Sequence, residues 1–150
     1  MILEGVSNPD NIGGVFRNAA AFGAGGVLLS PTCCDPLYRK AIRTSMGATL
    51  RVPFARLDDW PAAIERVHQA GFTVVALTPR EPAEALEDYA PPRQRRIALV
   101  VGTEGAGLTS TVEAAADVRV RIRMSDTVDS LNVAVATGIA LHALRGRHLA

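Results

Sequence analysis

MSDTVDSLNVAVATGIALH, residues 124–142, is the stretch on which the reading of this chain turns. The segment before it, Val118–Arg123, alternates: Val118, Val120 and Ile122 fall on one side, Arg119, Arg121 and Arg123 on the other. That is the pattern of a strand with one face wet or against a partner. A short polar loop then leads into a helix beginning near Ser130, where side-chain oxygens of Asp129 and Ser130 can accept free backbone N–H groups. Val133, Val135, Ala136, Ile139, Ala140 and Ala143 recur at helical spacing and predict a largely buried helix that closes near Gly146. Asn132 stands out among them. An amide inside an apolar first turn must find a partner or be costly. It reads either as a satisfied core amide beside a cap or as a functional group, and the residues upstream weigh the two.

Upstream, Ile97–Val101 is the most apolar strand and breaks into GTEGAGL, residues 102–108, before a helix capped by Thr109 or Ser110. Phe72–Leu77 is a buried strand of parallel type, ended by Thr78-Pro79. The polar, Pro-containing run from Arg80 to Arg96 reads as a surface excursion with one helical turn near Ala83–Leu86. Pro61 to Ala70 is a helix, capped by Asp58 or Asp59 and closed by Gly71. Nearer the start, Ile2–Val6 is a strand, Asn8-Pro9-Asp10-Asn11 a turn, Gly13 to Phe22 a helix ending at about Gly23, and Val27–Leu29 a strand. Asp35-Pro36 starts a helix reaching about Ser45, and Arg51–Ala55 is a strand. Strands and helices in alternation predict an α/β fold, a mostly parallel sheet flanked by helices on both faces. Ligands in such sheets sit beyond the carboxyl ends of strands, which singles out the loops Ser7–Ile12, Gly102–Leu108 and Met124–Asp129.

Composition bounds the function. A chain of 150 residues suits one domain, and with four Phe, two Tyr and one Trp its core must come from small aliphatic side chains. Net charge is +1, so no strong polyanion field exists at whole-chain level. Fifteen of the sixteen basic residues are Arg, a bias that genome composition explains first. Between Tyr38 and Arg56, however, Arg39, Lys40, Arg43, Arg51 and Arg56 occur without an acid, a local surface suited to phosphates. Adjacent Cys33 and Cys34 build no disulfide framework, and three scattered His give no metal-ligand spacing. No apolar run reaches membrane-spanning length, no signal pattern opens the chain, and a reducing cytoplasmic setting is the default. A strand starting almost at residue 1 is abrupt, as in a catalytic domain cut from a longer protein.

The glycine-rich loops do not fit a dinucleotide site. Gly102, Gly105 and Gly107 are spaced G-x-x-G-x-G rather than G-x-G-x-x-G, and they lie late in the chain. No P-loop lysine is present, and Ser130 lacks the G-x-S-x-G elbow of a hydrolase nucleophile. The pair Gly13-Gly14 weakens a helix start by about 1 kcal/mol per Gly relative to Ala, a cost that points to close approach by another group. Arg17 follows one turn further in, placed either for a surface ion pair or for an anionic ligand.

Three stretches together resemble the SpoU/TrmH family of RNA ribose 2′-O-methyltransferases, of the SPOUT class. They are Asn8-Pro9-Asp10-Asn11-Ile12-Gly13 with Arg17, Ala20 and Gly23; Gly102-Thr103-Glu104-Gly105 with Gly107-Leu108; and Met124 with Ser130-Leu131-Asn132-Val133. The order and spacing agree over nearly the whole chain. One departure is Arg123, where many relatives have proline before the methionine. The resemblance implies a single SPOUT catalytic domain over residues 1–150, with a C-terminal deep trefoil knot and without the N-terminal RNA-binding domain that many relatives carry. It implies S-adenosylmethionine as cofactor, S-adenosylhomocysteine as product, no metal, a homodimer with each site completed by the partner chain, and rRNA or tRNA as substrate. Carried over residue by residue, Arg17, Asn11, Ser130 and Asn132 are catalytic, and Thr78, Gly102, Ile122 and Leu131 hold the cofactor. Glu104, Gly105 and Met124 support the site, and Arg39, Lys40 and Arg43 bind RNA. The family proposal makes Arg17 a base. Its very high pKa favours phosphate binding and stabilisation of the developing alkoxide instead. A non-catalytic RNA- or cofactor-binding module and a knotted base-nitrogen methyltransferase are the alternatives. Cys33-Cys34-Asp35-Pro36 is closer to the rRNA-type members.

Overall fold

In the computed structural model, which describes residues 1–91 and 96–148, every strand pairing is parallel. The strands are β1 (Ile2–Glu4), β2 (Val27–Leu29), β3 (Phe54–Arg56), β4 (Phe72–Leu77), β5 (Glu84–Ala85), β6 (Arg96–Gly102) and β7 (Val118–Arg121). Their order across the sheet is β3-β2-β1-β6-β4-β7-β5. The helices are α1 (Pro9–Phe22), α2 (Arg39–Thr44), α3 (Ala63–Gln69), α4 (Ser110–Ala115) and α5 (Val133–His148). Successive strand residues point to opposite faces, and the core divides accordingly. Val75, Leu99 and Val101 pack with Ile12, Val15, Phe16 and Ala19 of α1 and with Val133, Ala140 and Leu144 of α5. Val74, Ala76, Ala98 and Val100 pack with Ala63, Ile64 and Val67 of α3 and with Val112 of α4. The expected parallel sheet with helices on both faces is therefore present.

The order β6-β4-β7-β5 has a topological consequence. After β4 the chain travels to the sheet's edge to form β5 and then returns to form β6. β7 later enters between β4 and β5, and the chain after it crosses back to start α5 beside α1.

Close packing of α1 explains its glycine pair. A Cβ on Gly13 would lie 2.7 Å from Thr44 Cβ and 2.8 Å from the Ala41 carbonyl oxygen of α2. One on Gly14 would lie 2.6 Å from Ala134 Cβ of α5. The propensity cost at these positions lets α1 sit wedged between two helices.

Several local expectations give way. Asn8 is a helix cap, its Oδ1 accepting from Asp10 N at 2.8 Å with Pro9 in the first turn, so Asn11 lies inside α1 rather than in a turn. Asp35 accepts from Leu37 N at 2.9 Å, but this bond closes a turn, and α2 starts only at Arg39. The strand expected at Arg51–Ala55 is displaced to Phe54–Arg56 by a 3-10 turn over Ala48–Leu50. Asp59 does not cap α3 with its side chain; it pairs with Arg66 at 2.7 Å. The helical turn expected near Ala83–Leu86 is instead strand β5, held by pairing to β7. α5 begins at Val133, three residues late, because its cap is neither Asp129 nor Ser130. Nor is α5 largely buried: Val135 is 52% and Ile139 41% exposed in the single chain.

Candidate active site

The carboxyl ends of β4 and β6 and the loop after β7 converge on a cleft. It is lined by Leu77–Pro79, by Val101–Gly105 with Gly107, by Ile122 and Met124, and by Ser130, Leu131, Val133 and Ala136. Every expected cofactor residue (Thr78, Gly102, Ile122 and Leu131) lines it, as do Glu104, Gly105, Met124 and Ser130. A larger groove of about 1240 Å³ opens at the opposite, amino-terminal end of the strands, between Met1, Val27, Phe54, Phe72 and Arg96. That groove is mostly apolar and gathers none of the candidate residues, whereas the smaller cleft gathers the expected cofactor residues.

Asn132 lies between Leu131 and Val133, which line the cleft, and ties its surroundings together. Its Oδ1 accepts from Ala134 N at 2.9 Å and from Val135 N at 3.3 Å, so it is the N-cap of α5. These two bonds settle which way the amide faces. Its Nδ2 must then donate, and it does so to Asn11 Oδ1 at 2.9 Å and to Glu104 Oε1 at 2.6 Å. Glu104 Oε1 also accepts from Val133 N at 3.3 Å. Asn11 is only 7% exposed and offers its oxygen to Asn132, and its own amide nitrogen donates to no partner among the described residues. One side chain therefore ties α1, the loop after β6 and the start of α5 into a single network. Charge-assisted bonds of this length are among the stronger polar contacts.

The loop after β6 owes its shape to two glycines. A Cβ on Gly102 would lie 2.2 Å from Gly107 C and 2.4 Å from both Gly107 O and Leu108 N. Gly107 itself has φ 68°. The loop can fold back on Gly102, with Gly107 N donating to Thr103 O at 3.0 Å, only because that side chain is missing.

This constellation fits a known family. A model of the SpoU rRNA methylase family matches residues 1–142. The chain belongs to the SpoU rRNA methylase family. It is 47% identical over 142 residues to an uncharacterized tRNA/rRNA methyltransferase of Mycobacterium bovis, covering 94% of this chain and 49% of that protein. The AdoMet-bound rRNA methyltransferase of Sinorhizobium meliloti superposes with a TM-score of 0.89 at 32% identity, over 99% of this chain and 56% of that one. A solved RNA 2′-O ribose methyltransferase gives a TM-score of 0.87 at 29% identity, over 99% and 56% of the two chains. The chain thus spans about half the length of the curated relative it matches at 47% identity.

Not every expected SpoU residue is gathered. Arg17 is exposed and makes no hydrogen bond or ion pair among the described residues. Six residues along a helix from Asn11, it lies about 9 Å further up the axis and on another face of α1. Ser130 lines the cleft but is exposed, without a partner among the described residues. Arg39 and Arg43 are exposed on α2 and free of ion pairs among the described residues. Lys40 is not free: its ammonium lies 2.8 Å from Asp10, and this hydrogen bond holds the Asp10 carboxyl below its usual value, helped by the Thr44 hydroxyl. Arg56, also in the basic run, donates to the carbonyls of Ser30, Pro31 and Cys33 and serves as a loop brace.

Other residues around the cleft escape sequence reasoning. Buried Glu4 accepts from Thr109 N at 2.8 Å, Thr109 Oγ1 at 2.9 Å and Trp60 Nε1 at 2.9 Å, fixing the start of α4 against β1. Buried Glu113 accepts from the Thr78 hydroxyl at 2.6 Å. Nothing in the spacing of Glu4 or Glu113 signals partners so far along the chain.

Proposed function

We propose that this chain is the catalytic domain of an S-adenosylmethionine-dependent RNA ribose 2′-O-methyltransferase acting on rRNA or tRNA. The observation that carries this reading is the Asn132 network, which shares Glu104 with a cleft lined by Thr78, Gly102, Ile122 and Leu131. These residues fit the cofactor: the lining is apolar with exposed backbone at a glycine-rich turn, which suits an adenine edge read by backbone groups. Thr78, Gly102, Ile122 and Leu131 would hold it. When bound, S-adenosylmethionine supplies an activated methyl group on sulfur, so no metal is called for.

The protein's task is then to position the ribose and stabilise charge. Asn11, whose amide nitrogen donates to no partner among the described residues, and Ser130 orient the 2′-hydroxyl. Asn132 and Glu104 keep Asn11 turned toward it. Arg17 binds an RNA phosphate and stabilises the developing alkoxide rather than acting as the base, and the 2′-hydroxyl proton leaves to solvent water. Arg17 stands apart from its own chain's network, which supports a homodimer in which the partner's copy of this residue completes each site. Exposed Val135 and Ile139 on α5, beside the edge-to-face pair of Phe22 and His142, offer an apolar face for that dimer. The entry of β7 between β4 and β5 supports a trefoil knot in which the C-terminal segment passes through the loop closed by β5 and β6. Arg39 and Arg43 contact RNA phosphates, and Lys40 joins them by exchanging Asp10 for a phosphate. Among the described residues no helix is long and apolar enough to cross a membrane, and the cytoplasm, where these RNAs are found, is the proposed location.

The test has two stages. Calorimetric titration with S-adenosylhomocysteine should give saturable binding near one per chain. Methyl transfer from labelled cofactor to rRNA or tRNA, followed by nucleoside analysis, should then place the label on a ribose. Arg17→Ala should abolish transfer while leaving S-adenosylhomocysteine affinity unchanged. A label on a base nitrogen would sink the ribose assignment, and a folded dimer that binds no S-adenosylhomocysteine would sink the cofactor assignment.

A further inference from the structure

We propose that Arg80 is a positioning residue: it clamps the glycine-rich loop after β6 to the end of β4 and so pre-forms the cofactor cleft. This rests on the cofactor reading above. The Arg80 side chain is 46% exposed, yet both terminal nitrogens of its guanidinium donate hydrogen bonds. Nη1 donates to the Leu108 carbonyl at 2.8 Å and to Glu113 Oε1 at 3.2 Å, and Nη2 donates to the Ala106 carbonyl. The same Glu113 oxygen accepts from Thr78 Oγ1, and Thr78 Oγ1 accepts in turn from Arg80 N at 3.2 Å. Thr78 lines the cleft, and so do Gly105 and Gly107 of the clamped loop. Two of the cleft's walls are therefore cross-linked by one planar side chain.

The loop is built to accept this clamp. Arg80 Nη2 would lie 3.3 Å from a Cβ on Gly107, so any side chain there would crowd the guanidinium. Gly105 and Gly107 both have positive φ, at 79° and 68°. A loop with two such glycines has many conformations to lose on ordering. Fixing the Ala106 and Leu108 carbonyls beforehand removes that cost from ligand binding. The geometry needs the guanidinium fork. A lysine ammonium is a point charge and cannot serve both carbonyls and Glu113 from separate nitrogens.

Titration of the wild type, Arg80→Met and Arg80→Lys with S-adenosylhomocysteine tests this, with amide hydrogen exchange read alongside. Arg80→Met should bind about tenfold or more weakly, the equivalent of one lost charge-assisted bond. Arg80→Lys should fall between. The amides of Ala106 and Gly107, which donate to Glu104 O and Thr103 O, should exchange faster in both variants, while those of β1 and β6 stay protected. A purely structural role would lower thermal stability and leave affinity, measured well below the melting temperature, where it was. Arg80→Met with wild-type affinity overturns the clamp and leaves the cofactor reading standing. A wild type that binds no S-adenosylhomocysteine overturns the cofactor reading and the clamp's purpose together. Should Arg80→Met not fold, Arg80→Lys decides: wild-type affinity and exchange in that variant overturn the proposal.

Discussion

Replacing Gly102 by Ala is the sharpest test of the loop geometry. The added Cβ would stand 2.2 Å from Gly107 C and 2.4 Å from Gly107 O and Leu108 N. Ordinary contacts between carbons lie at about 3.5–4.0 Å, so the loop must retreat by roughly 1 Å or more. All three obstacles are backbone atoms, and no rotamer change relieves them. Overpacking of this kind costs about 1–3 kcal/mol. Loss of the glycine's unfolded-state freedom returns about 0.5–1 kcal/mol. The net destabilisation is then about 1–2 kcal/mol, a fall of roughly 2–8 °C in melting temperature for a chain of this size. The retreat also pulls Ala106 and Leu108 from Arg80 and opens the Thr103–Gly107 bridge, so S-adenosylhomocysteine affinity should fall at least as far as in Arg80→Met. Gly25→Ala is the control, since nothing lies within 4 Å of a Cβ there and its φ is ordinary. Thermal melts and calorimetry of the two variants decide. Gly102→Ala that melts and binds like the wild type refutes the close-approach argument. A lowered melting temperature with unchanged affinity refutes the link between this loop and the cofactor.

Two further perturbations test named side-chain pairs. Asn132→Asp keeps a side chain that caps a helix as well as Asn, but sets a second carboxylate at the position 2.6 Å from Glu104; both residues are exposed, so about 1 kcal/mol of destabilisation is expected at pH 8. Equal melting temperatures of variant and wild type at pH 8 would remove Glu104 from the network. Lys40→Ala should raise the Asp10 carboxyl toward 3.8, read by NMR titration; no rise would assign the depression to Thr44 instead. The stability linked to a depressed carboxyl is present above the usual carboxylate range and is lost as the pH falls through the folded value.

The layers of this fold are legible from hydrophobic pattern because burial acts residue by residue. Phe72–Leu77 and Val27–Leu29 form strands over the expected residues, and the alternation of Val74, Val75 and Ala76 between two faces follows from strand geometry alone. Where the reading fails, a long-range partner overrides a local preference. Asp35 and Asp59 have the chemistry of caps, but Asp35 spends its oxygen on a turn and Asp59 pairs with Arg66. β5 has only two residues and exists because β7 lies beside it. The order β6-β4-β7-β5 has no local signature at all, since each strand's neighbours are set by residues far away in the chain.

Asn132 belongs to both classes, and it shows why the site was half legible. Seen locally it was an amide misplaced in an apolar turn. The structure moves the helix start to it, and the same atom that looked costly becomes the acceptor for two helix N–H groups. Capping consumes only the oxygen. The nitrogen is left pointing out of the helix end, and α1 and the loop after β6 supply Asn11 and Glu104 to receive it. A cap is a backbone requirement that any of several residues could meet. Only an amide meets it with two donors left over, so the choice of Asn over Ser or Asp is made by the site and not by the helix. The same logic applies to Gly13 and Gly14: poor helix formers locally, they let α2 and α5 approach closely enough for Asn11 to reach Asn132. Residues that break a local rule are thus the ones that bring α1, the loop after β6 and the start of α5 together.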